Sequence, residues 1–188
     1  LRARGYATMC IGKWHLGDQP DFLPTRHGYD HYFGLPYSND MQRPSAKSGT
    51  AVVPLMRDEQ VIELLAGDDQ DRLTERYTDE AVKFIRDQRT RPFFLYLATS
   101  MPHTPLGASK DFKGKGPTPY ADTLAELDDT VGRVLDALES KGLAQDTIVI
   151  FTSDNGPWLN FGRHAGVTGG LREGKGTTWE GGVRVPFI

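Results

Sequence analysis

The chain has 188 residues and a mass of 20.9 kDa, which is long enough for one domain with a substantial core. Its 22 basic and 25 acidic residues give a formal net charge of −3 without long runs of either sign, which argues against a nucleic-acid-binding protein or a polybasic membrane anchor. A hydrophobic content of 38% and an aromatic content of 10% exclude a disordered chain, and a single cysteine excludes an internal disulfide.

In the first half of the chain, short regular elements are predicted to alternate with irregular segments. Residues 7–11 form a mostly apolar run that indicates a strand, and residues 18–66 read as irregular, with a short hairpin expected between Val52 and Leu64. The apolar spacing in residues 74–88 predicts an amphipathic helix. Pro92 ends that pattern, and the apolar run 93–98 then indicates a buried strand.

The second half is predicted to contain a long helix followed by another strand. After a loop rich in proline and glycine at residues 100–119, residues 120–141 have helical spacing, and Gly142 supplies a C-terminal stop. The apolar stripe of this helix is expected to consist of Leu124, Leu127, Val131, Val134, Leu135 and Leu138. Residues 147–152 indicate a buried strand, so that strand, helix and strand make a βαβ unit with parallel strands. The run 183–188 reads as an unfinished strand.

Polar residues follow three of the predicted strands at the points where those strands end. Lys13 and His15 come after the first strand, His103 follows residues 93–98, and Asp154 and Asn155 follow residues 147–152. If the strands are parallel, all these residues emerge at the carboxyl edge of one sheet, where open α/β sheets bind their ligands. The sequence therefore predicts one polar site at that edge.

Each of these polar groups also has a purely structural interpretation. Carboxylate and amide oxygens at Asp154 and Asn155 suit Ca²⁺ or Mg²⁺, although two ligands are too few, and an Asp-Asn-Gly sequence is equally typical of a turn. Isolated histidines are most often structural, but Lys13 and His15 are two positions apart and so project to one side of an extended segment. His103 lies between two prolines that stiffen its backbone. A precisely aimed general acid would need such a backbone, but a proline-rich loop without any catalytic role explains the same residues.

Lys175 and Cys10 complete the set of residues considered for chemistry. Lys175 lies in the glycine-rich stretch 174–182, which suits either an oxyanion cradle or a flexible surface loop, and the GxxxxGK[ST] spacing of a P-loop is absent. Cys10 lies within an apolar strand and is interpreted as a small buried hydrophobic residue, not a nucleophile.

The predicted site would combine two lysines, two histidines and a hard metal ion. Such a site suits a substrate that is an ester of a tetrahedral oxyanion. These residue types alone leave phosphate, phosphonate and sulfate esters open as substrates. They also identify no nucleophile, because the sequence has no Gly-x-Ser-x-Gly elbow and no serine placed convincingly beside a histidine.

Several segments resemble the motifs of one enzyme family, in the expected order. Residues 5–17, which contain Gly-Lys-Trp-His-Leu-Gly, resemble a motif of the sulfatase family, and residues 153–156 (Ser-Asp-Asn-Gly) and 174–184 (beginning Gly-Lys-Gly-Thr-Thr) resemble two more. Residues 36–40 and the loop around His103 are similar to the arylsulfatase A group. On this ordered set, which extends over essentially the whole chain, the chain is identified as a member of the sulfatase family.

This resemblance implies a fold and a set of roles. The fold would be the α/β alkaline-phosphatase-like three-layer sandwich, with a mostly parallel sheet between helices. Lys13 and His15 would surround a catalytic formylglycine, with His15 helping to break down the sulfated intermediate. His103 and Lys175 would hold the sulfate of a small-molecule or glycan ester, and either could help protonate the leaving alcohol. Asp154 and Asn155 would be half of a calcium site, with Mg²⁺ a weaker alternative.

The chain departs from the family pattern in one respect. The Cys-x-Pro-Ser-Arg motif that carries the formylglycine is absent, and the residues after Cys10 do not match it. We therefore expect residues 1–188 to be part of one catalytic domain truncated at both ends, inactive alone, with the formylglycine and the remaining calcium ligands upstream of Leu1.

Two other functions stay open at this point. One is a phosphonate or phosphate monoester hydrolase of the same superfamily, and the other is a non-catalytic sulfatase-like binding protein.

The expected location is periplasmic or secreted in a bacterium, with a lysosomal enzyme as the alternative, because a calcium site and a sulfate-ester substrate suit these compartments. The sequence lacks an Asn-x-Ser/Thr glycosylation sequon, which favours the bacterial source.

Overall fold

A mixed β-sheet forms the centre of the molecule. The structure is a computed structural model that describes residues 1–88 and 90–188. Six strands are present in the described residues: β1 (Ala7–Lys13), β2 (His31–Leu35), β3 (Arg43–Pro44), β4 (Ala51–Arg57), β5 (Gln60–Leu65) and β6 (Phe93–Ala98). Their order across the sheet is β3-β4-β2-β1-β6, and β5 pairs with β4.

The middle of the sheet is parallel and one side is antiparallel. Strand β1 pairs in parallel with β2 and β6, whereas β4 is antiparallel to β2, β3 and β5. The predicted strands in residues 7–11 and 93–98 are confirmed as β1 and β6, and the predicted hairpin as β4 and β5. Strand β2 was not predicted because it is short and contains Gly34, yet it brings a third carboxyl end to the same edge of the sheet.

Three α-helices accompany the sheet in the described residues: α1 (Leu73–Asp87), α2 (Pro119–Ser140) and the short α3 (Glu180–Val183). Both long predicted helices are confirmed within one or two residues. Helix α2 begins where the Thr118 hydroxyl accepts a hydrogen bond from the Ala121 amide at 3.1 Å. Short 3-10 turns occupy Arg2–Arg4, Pro20–Phe22, Pro24–Arg26, Gly67–Arg72, Ala144–Asp146 and Leu159–His164. Among the described helices, none is both long and apolar enough to cross a membrane.

The main core lies between the sheet and α1. Tyr77, Ala81 and Phe84 of α1 pack against Met9 and Ile11 of β1, all of them buried. Burying each large apolar side chain stabilises the fold by about 1.5–3 kcal/mol, so this face anchors the parallel strands. The opposite face, which includes Cys10 and Tyr32, is covered by residues 14–29. The predicted α/β class is confirmed.

Helix α2 buries a largely polar face, contrary to the predicted apolar stripe. Leu138 is buried, but Leu124 and Leu135 are 43% and 45% exposed, whereas Asp122 and Glu126 are buried. The cause is the loop before α2, which lies against this face and directs backbone amides at both carboxylates. The Asp122 carboxylate accepts hydrogen bonds from the Gly114 and Gly116 amides, and the Glu126 carboxylate accepts one from the Ser109 amide.

The two C-terminal strand predictions are wrong. Residues 147–151 form no ladder with β6, and Ile148 is 89% exposed. In the described residues, α2 is therefore not followed by a second strand of the sheet, and the predicted βαβ unit is not formed. The segment pairs instead with residues 187–188, through one isolated bridge between Thr152 and Phe187. Residue Val183, predicted to begin a strand, is the last residue of α3 because the preceding glycine-rich stretch folds into a helical turn.

Candidate active site

Lys13 and His15 lie where β1 leaves the sheet. Gly12 is required just before them, because a Cβ there would lie 1.9 Å from the Ala98 carbonyl oxygen of β6 and its φ is +103°. His15 has a φ of +60°, a left-handed conformation that costs a non-glycine residue about 1–2 kcal/mol. Its amide donates to the Pro36 carbonyl at 3.1 Å, which holds the residue beside the end of β2.

The environment of His15 brings most of the predicted site residues together. Partial burial lowers the pKa of the His15 imidazole, and the positive charge of Lys13 lowers it further. His103 and Lys175 act in the same direction, whereas the Asp40 carboxylate opposes them. Because charges act on one another only at short range in salt solution, these four groups lie near enough to the imidazole to affect its pKa. His15 is therefore neutral near pH 7 and able to accept a proton.

His103 is held in one tautomer by the loop after β6. Its Nδ1 lies 2.7 Å from the Thr104 carbonyl oxygen. Because a carbonyl only accepts, Nδ1 must carry the hydrogen, and Nε2 is the ring nitrogen available to a substrate. The loop itself is tied to the rest of the site, since the Asn39 side-chain amide donates to the Pro105 carbonyl at 3.0 Å. His103 is thus a fixed group with one free nitrogen.

The backbone of Lys175 packs against the segment that follows Asn155. Its amide donates to the Pro157 carbonyl at 2.9 Å. The preceding residue must be glycine, because a Cβ at Gly174 would lie 2.4 Å from that same carbonyl oxygen. The Lys175 ammonium lies 4.9 Å from the centre of the Trp158 ring, and the His103 ring lies 5.9 Å from it. Lys175 and His103 therefore both adjoin this indole.

Asp154 and Asn155 have the donor chemistry of a calcium site. The Asn155 Nδ2 donates to the Gly156 carbonyl at 2.9 Å, which leaves Oδ1 for a cation. Asp154 is exposed and makes no ion pair with the described residues. Its charge adds to the raised pKa of the Tyr96 phenol on β6, for which burial is the main cause. The residues that the structure describes contain no group of three or more His, Cys, Asp or Glu side chains able to hold a metal, and two ligands alone are too few for calcium.

The interpretation of Cys10 is confirmed. Its side chain is fully buried in β1, and burial raises the pKa of the thiol to about 12. A protonated and inaccessible thiol is a poor nucleophile, so Cys10 contributes packing alone.

Three other groups contribute to the site and were missed from sequence. Asp40 acts on His15, Trp158 lies beside His103 and Lys175, and the pair Asp122 and Glu126 binds the loop that carries His103. The spacing of four residues between two acids on one helix was a usable signal for that pair. Asp40 and Trp158 lie in irregular segments, where sequence spacing does not predict which groups meet.

The family model described as Sulfatase matches residues 1–188. The chain belongs to the sulfatase family. It is 40% identical to N-acetylgalactosamine-6-sulfatase of Rattus norvegicus over 201 residues, covering 100% of this chain and 38% of that protein. It is 41% identical to arylsulfatase A of Bos taurus over 212 residues, covering 100% of this chain and 40% of that protein. This sulfatase chain thus spans about two fifths of the length of these curated relatives.

Solved sulfatase structures have the same fold. The PsFucS1 sulfatase from Pseudoalteromonas sp. superimposes with a TM-score of 0.84 at 31% identity, covering 100% of this chain and 42% of that one. Ps i-CgsB in complex with k-i-k-neocarrahexaose gives a TM-score of 0.77 at 32% identity, covering 99% and 45%. The expected alkaline-phosphatase-like α/β fold is therefore confirmed for this sulfatase chain.

Proposed function

We propose that this sulfatase chain is part of an enzyme that hydrolyses sulfate esters, a sulfuric ester hydrolase of the arylsulfatase type. The observation that supports the proposal is that Lys175 and His103 both adjoin Trp158, and that these two groups and Lys13 also lower the pKa of the His15 imidazole. Cationic side chains bind the oxygens of a sulfate and stabilise the negative charge that develops as its ester bond breaks.

Each group has a separate role in the proposed reaction. Lys13 and Lys175 neutralise the sulfate oxygens, and they share that work with His103. The Lys175 ammonium donates a proton to the departing alkoxide. Because the Nδ1 hydrogen of His103 is directed at Thr104, its Nε2 can take this role only when the imidazole is doubly protonated. His15, which is neutral near pH 7, accepts a proton as the enzyme-bound sulfate is released.

The proposed reaction also involves two groups that the family uses. Asp154 and Asn155 would supply a carboxylate and an amide oxygen to calcium. When bound, calcium would draw charge from the sulfate oxygens, and a formylglycine hydrate would supply the attacking hydroxyl. We infer that residues 1–188 are part of a single catalytic domain, because the formylglycine motif is absent from them and the relatives are longer.

The substrate class and location belong to the same proposal. A glycan or other alcohol sulfate suits an open, cationic edge of a sheet, and one solved relative was crystallised with a neocarrahexaose. Calcium-dependent hydrolysis of such esters favours a periplasmic or secreted enzyme, with a lysosomal location as the alternative. Cell fractionation with an antibody to this chain tests the location.

The test of the function is hydrolysis of a chromogenic aryl sulfate by the complete protein that contains this chain. Substitution of Lys175 by Met or of His103 by Gln is expected to lower kcat/KM by about 10²–10³-fold, since each removes a group that faces the developing charge. Lys141→Met, at the exposed C-terminal end of α2, removes the same charge elsewhere and is expected to leave kcat/KM unchanged. Equal effects of Lys141→Met and Lys175→Met would contradict the proposed site.

A further inference from the structure

We propose that Trp158 is a positioning residue that fixes Lys175 and His103 for the sulfate group, an inference that rests on the proposed function. Both of those side chains lie against its indole. The Lys175 ammonium is 4.9 Å from the ring centre, and the His103 imidazole is 5.9 Å from it with an interplanar angle of 53°. The same ring therefore adjoins both groups that are proposed to bind the sulfate.

The indole is itself held on another side by an aromatic neighbour. Phe161 lies 4.5 Å from Trp158 with the rings at 66°, close to the edge-to-face geometry that aromatic pairs prefer. The Phe161 amide also donates to the Trp158 carbonyl at 3.1 Å, which closes the turn between them. Phe161 thus restricts the orientations that the indole can take.

The backbone holds the two segments of this cluster in register. Lys175 donates its amide to Pro157, the residue next to Trp158, and the Gly156 amide donates to the Gly182 carbonyl at 2.9 Å. Trp158 and Lys175 are therefore adjacent because the main chain places them so, and the cation–π contact follows from that placement.

The contact with Trp158 restricts the Lys175 side chain before sulfate binds, so less conformational entropy is lost on binding. A lysine has four side-chain torsions, and an unrestrained ammonium would have to be ordered when the sulfate binds. An ammonium over an aromatic face within about 6 Å is attracted to the ring and occupies fewer orientations. Trp158 is 37% exposed, so its removal opens a surface site and leaves the core intact.

The experiment compares Trp158→Leu with Trp158→Phe in the complete protein. The Leu variant is expected to raise both the KM for an aryl sulfate and the inhibition constant of inorganic sulfate by about 3–30-fold, the range that a lost cation–π contact gives. The Phe variant keeps an aromatic face and is expected to stay within about threefold of the wild type. Val167→Ala, at an exposed position in the same segment, is the matched control.

A double-mutant cycle tests whether Trp158 acts through Lys175. In a Lys175→Met background, Trp158→Leu is expected to cost less than it does in the wild type, because one of the two groups that it positions is already gone. Full additivity of the two substitutions would overturn the proposal, as would a fall in kcat with an unchanged inhibition constant for sulfate. If Trp158→Leu fails to fold, Trp158→Met keeps the apolar volume without an aromatic face.

The proposed function and the role of Trp158 fail in different ways. If the wild-type protein binds inorganic sulfate but hydrolyses no sulfate ester, the function fails, and calorimetry of sulfate binding to the same variants still decides the role of Trp158. If the wild type binds no sulfate at all, both are overturned.

Discussion

Charges of both signs surround His15, and their balance sets how readily this imidazole accepts a proton. Burial and Lys13 lower its pKa, while Asp40 raises it. The residue also has a left-handed backbone between β1 and the end of β2. Strained conformations of this kind persist where the surrounding structure holds them, and they are common at functional sites. The chemistry of His15 thus depends on neighbours that come from three separate segments.

Substitution of Asp40 by Asn is expected to lower the pKa of His15 further, because the one negative charge acting on it is removed. The acidic limb of the kcat profile should then move to lower pH, because His15 acts on the enzyme-bound sulfate, and relative activity on that limb should rise on the order of twofold. Asp136→Asn, on the exposed side of α2, removes the same charge and should leave the limb in place. A shift to higher pH after Asp40→Asn would contradict this assignment.

Gly12 allows β1 and β6 to approach closely just before Lys13. We expect Gly12→Ala to destabilise the protein by at least about 3 kcal/mol, because the new methyl group would collide with the Ala98 carbonyl. Gly28→Ala is the control, since Gly28 also has a positive φ, +94°, but has open space around its Cα, and it should cost only about 1 kcal/mol. Urea denaturation measures both, and equal losses would show that the strand contact is unimportant.

At the level of whole elements, α1 and α2 show what a sequence does and does not determine. The spacing of Tyr77, Ala81 and Phe84 predicted α1 correctly, because that helix packs on the sheet along one apolar face. In α2 the periodic leucines predicted correctly where the helix begins and ends, but they predicted the wrong face as the buried one. What decides that face is the preceding loop, whose amides donate to Asp122 and Glu126, and the position of a loop is a tertiary property that local spacing does not contain.

Residues 147–152 illustrate the same limit for strands. Their apolar composition is typical of a buried strand, but a strand exists only where another strand offers hydrogen bonds, and here the pairing partner is Phe187 through one bridge. At the site, spacing was enough to predict the two strands that end just before Lys13 and His103, which are parallel neighbours in the sheet. Spacing was not enough for Trp158, which follows an irregular segment.

Glu126 links α2 to the loop of His103 and makes stability depend on pH. Burial raises the pKa of its carboxyl above the ordinary value of 4.5, and the nearby Glu75 and Asp129 add to this. One oxygen accepts the Ser109 amide, and the other has no partner among the described residues. Because the pKa is raised in the folded state, Glu126 adds to the free energy of unfolding at low pH, and this contribution is lost as pH rises through the folded-state pKa.

Glu126→Gln is therefore expected to remove part of this pH dependence. Between about pH 5 and pH 8 the wild type should lose on the order of 1 kcal/mol more of its free energy of unfolding than the variant does. Denaturation by urea at both pH values measures the difference. Glu139→Gln, on the exposed end of the same helix, should behave like the wild type, and a variant that loses stability faster than the wild type would refute the role of Glu126.

For the molecule as a whole, the sheet collects groups from distant parts of the chain at one edge. Lys13 follows β1, His103 follows β6, and Lys175 reaches the same place from the glycine-rich stretch near the end of the chain. Asp154 lies close enough to Tyr96 of β6 to affect its phenol. An anion held at this edge would therefore be bound by cationic groups from distant parts of the chain.

The calcium assignment is tested by Asp154→Ala in the complete protein. Removal of one carboxylate from the proposed ligand set should weaken calcium binding by at least about tenfold, since carboxylates are the ligands that hold this ion most strongly. Calorimetric titration with calcium measures the change. Asp146→Ala, in the 3-10 turn before residues 147–152, is the control, and an unchanged affinity after Asp154→Ala would remove Asp154 from the site.

The most direct test of the central claim is the ratio of kcat/KM for an aryl sulfate to kcat/KM for the matching aryl phosphate, measured on the complete protein with calcium present. Two lysines and two imidazoles around a singly charged ester predict a ratio well above one, which Lys175→Met lowers by weakening sulfate turnover. A ratio below one would identify a phosphate monoester hydrolase with a sulfatase fold, and turnover of neither ester would leave a binding protein.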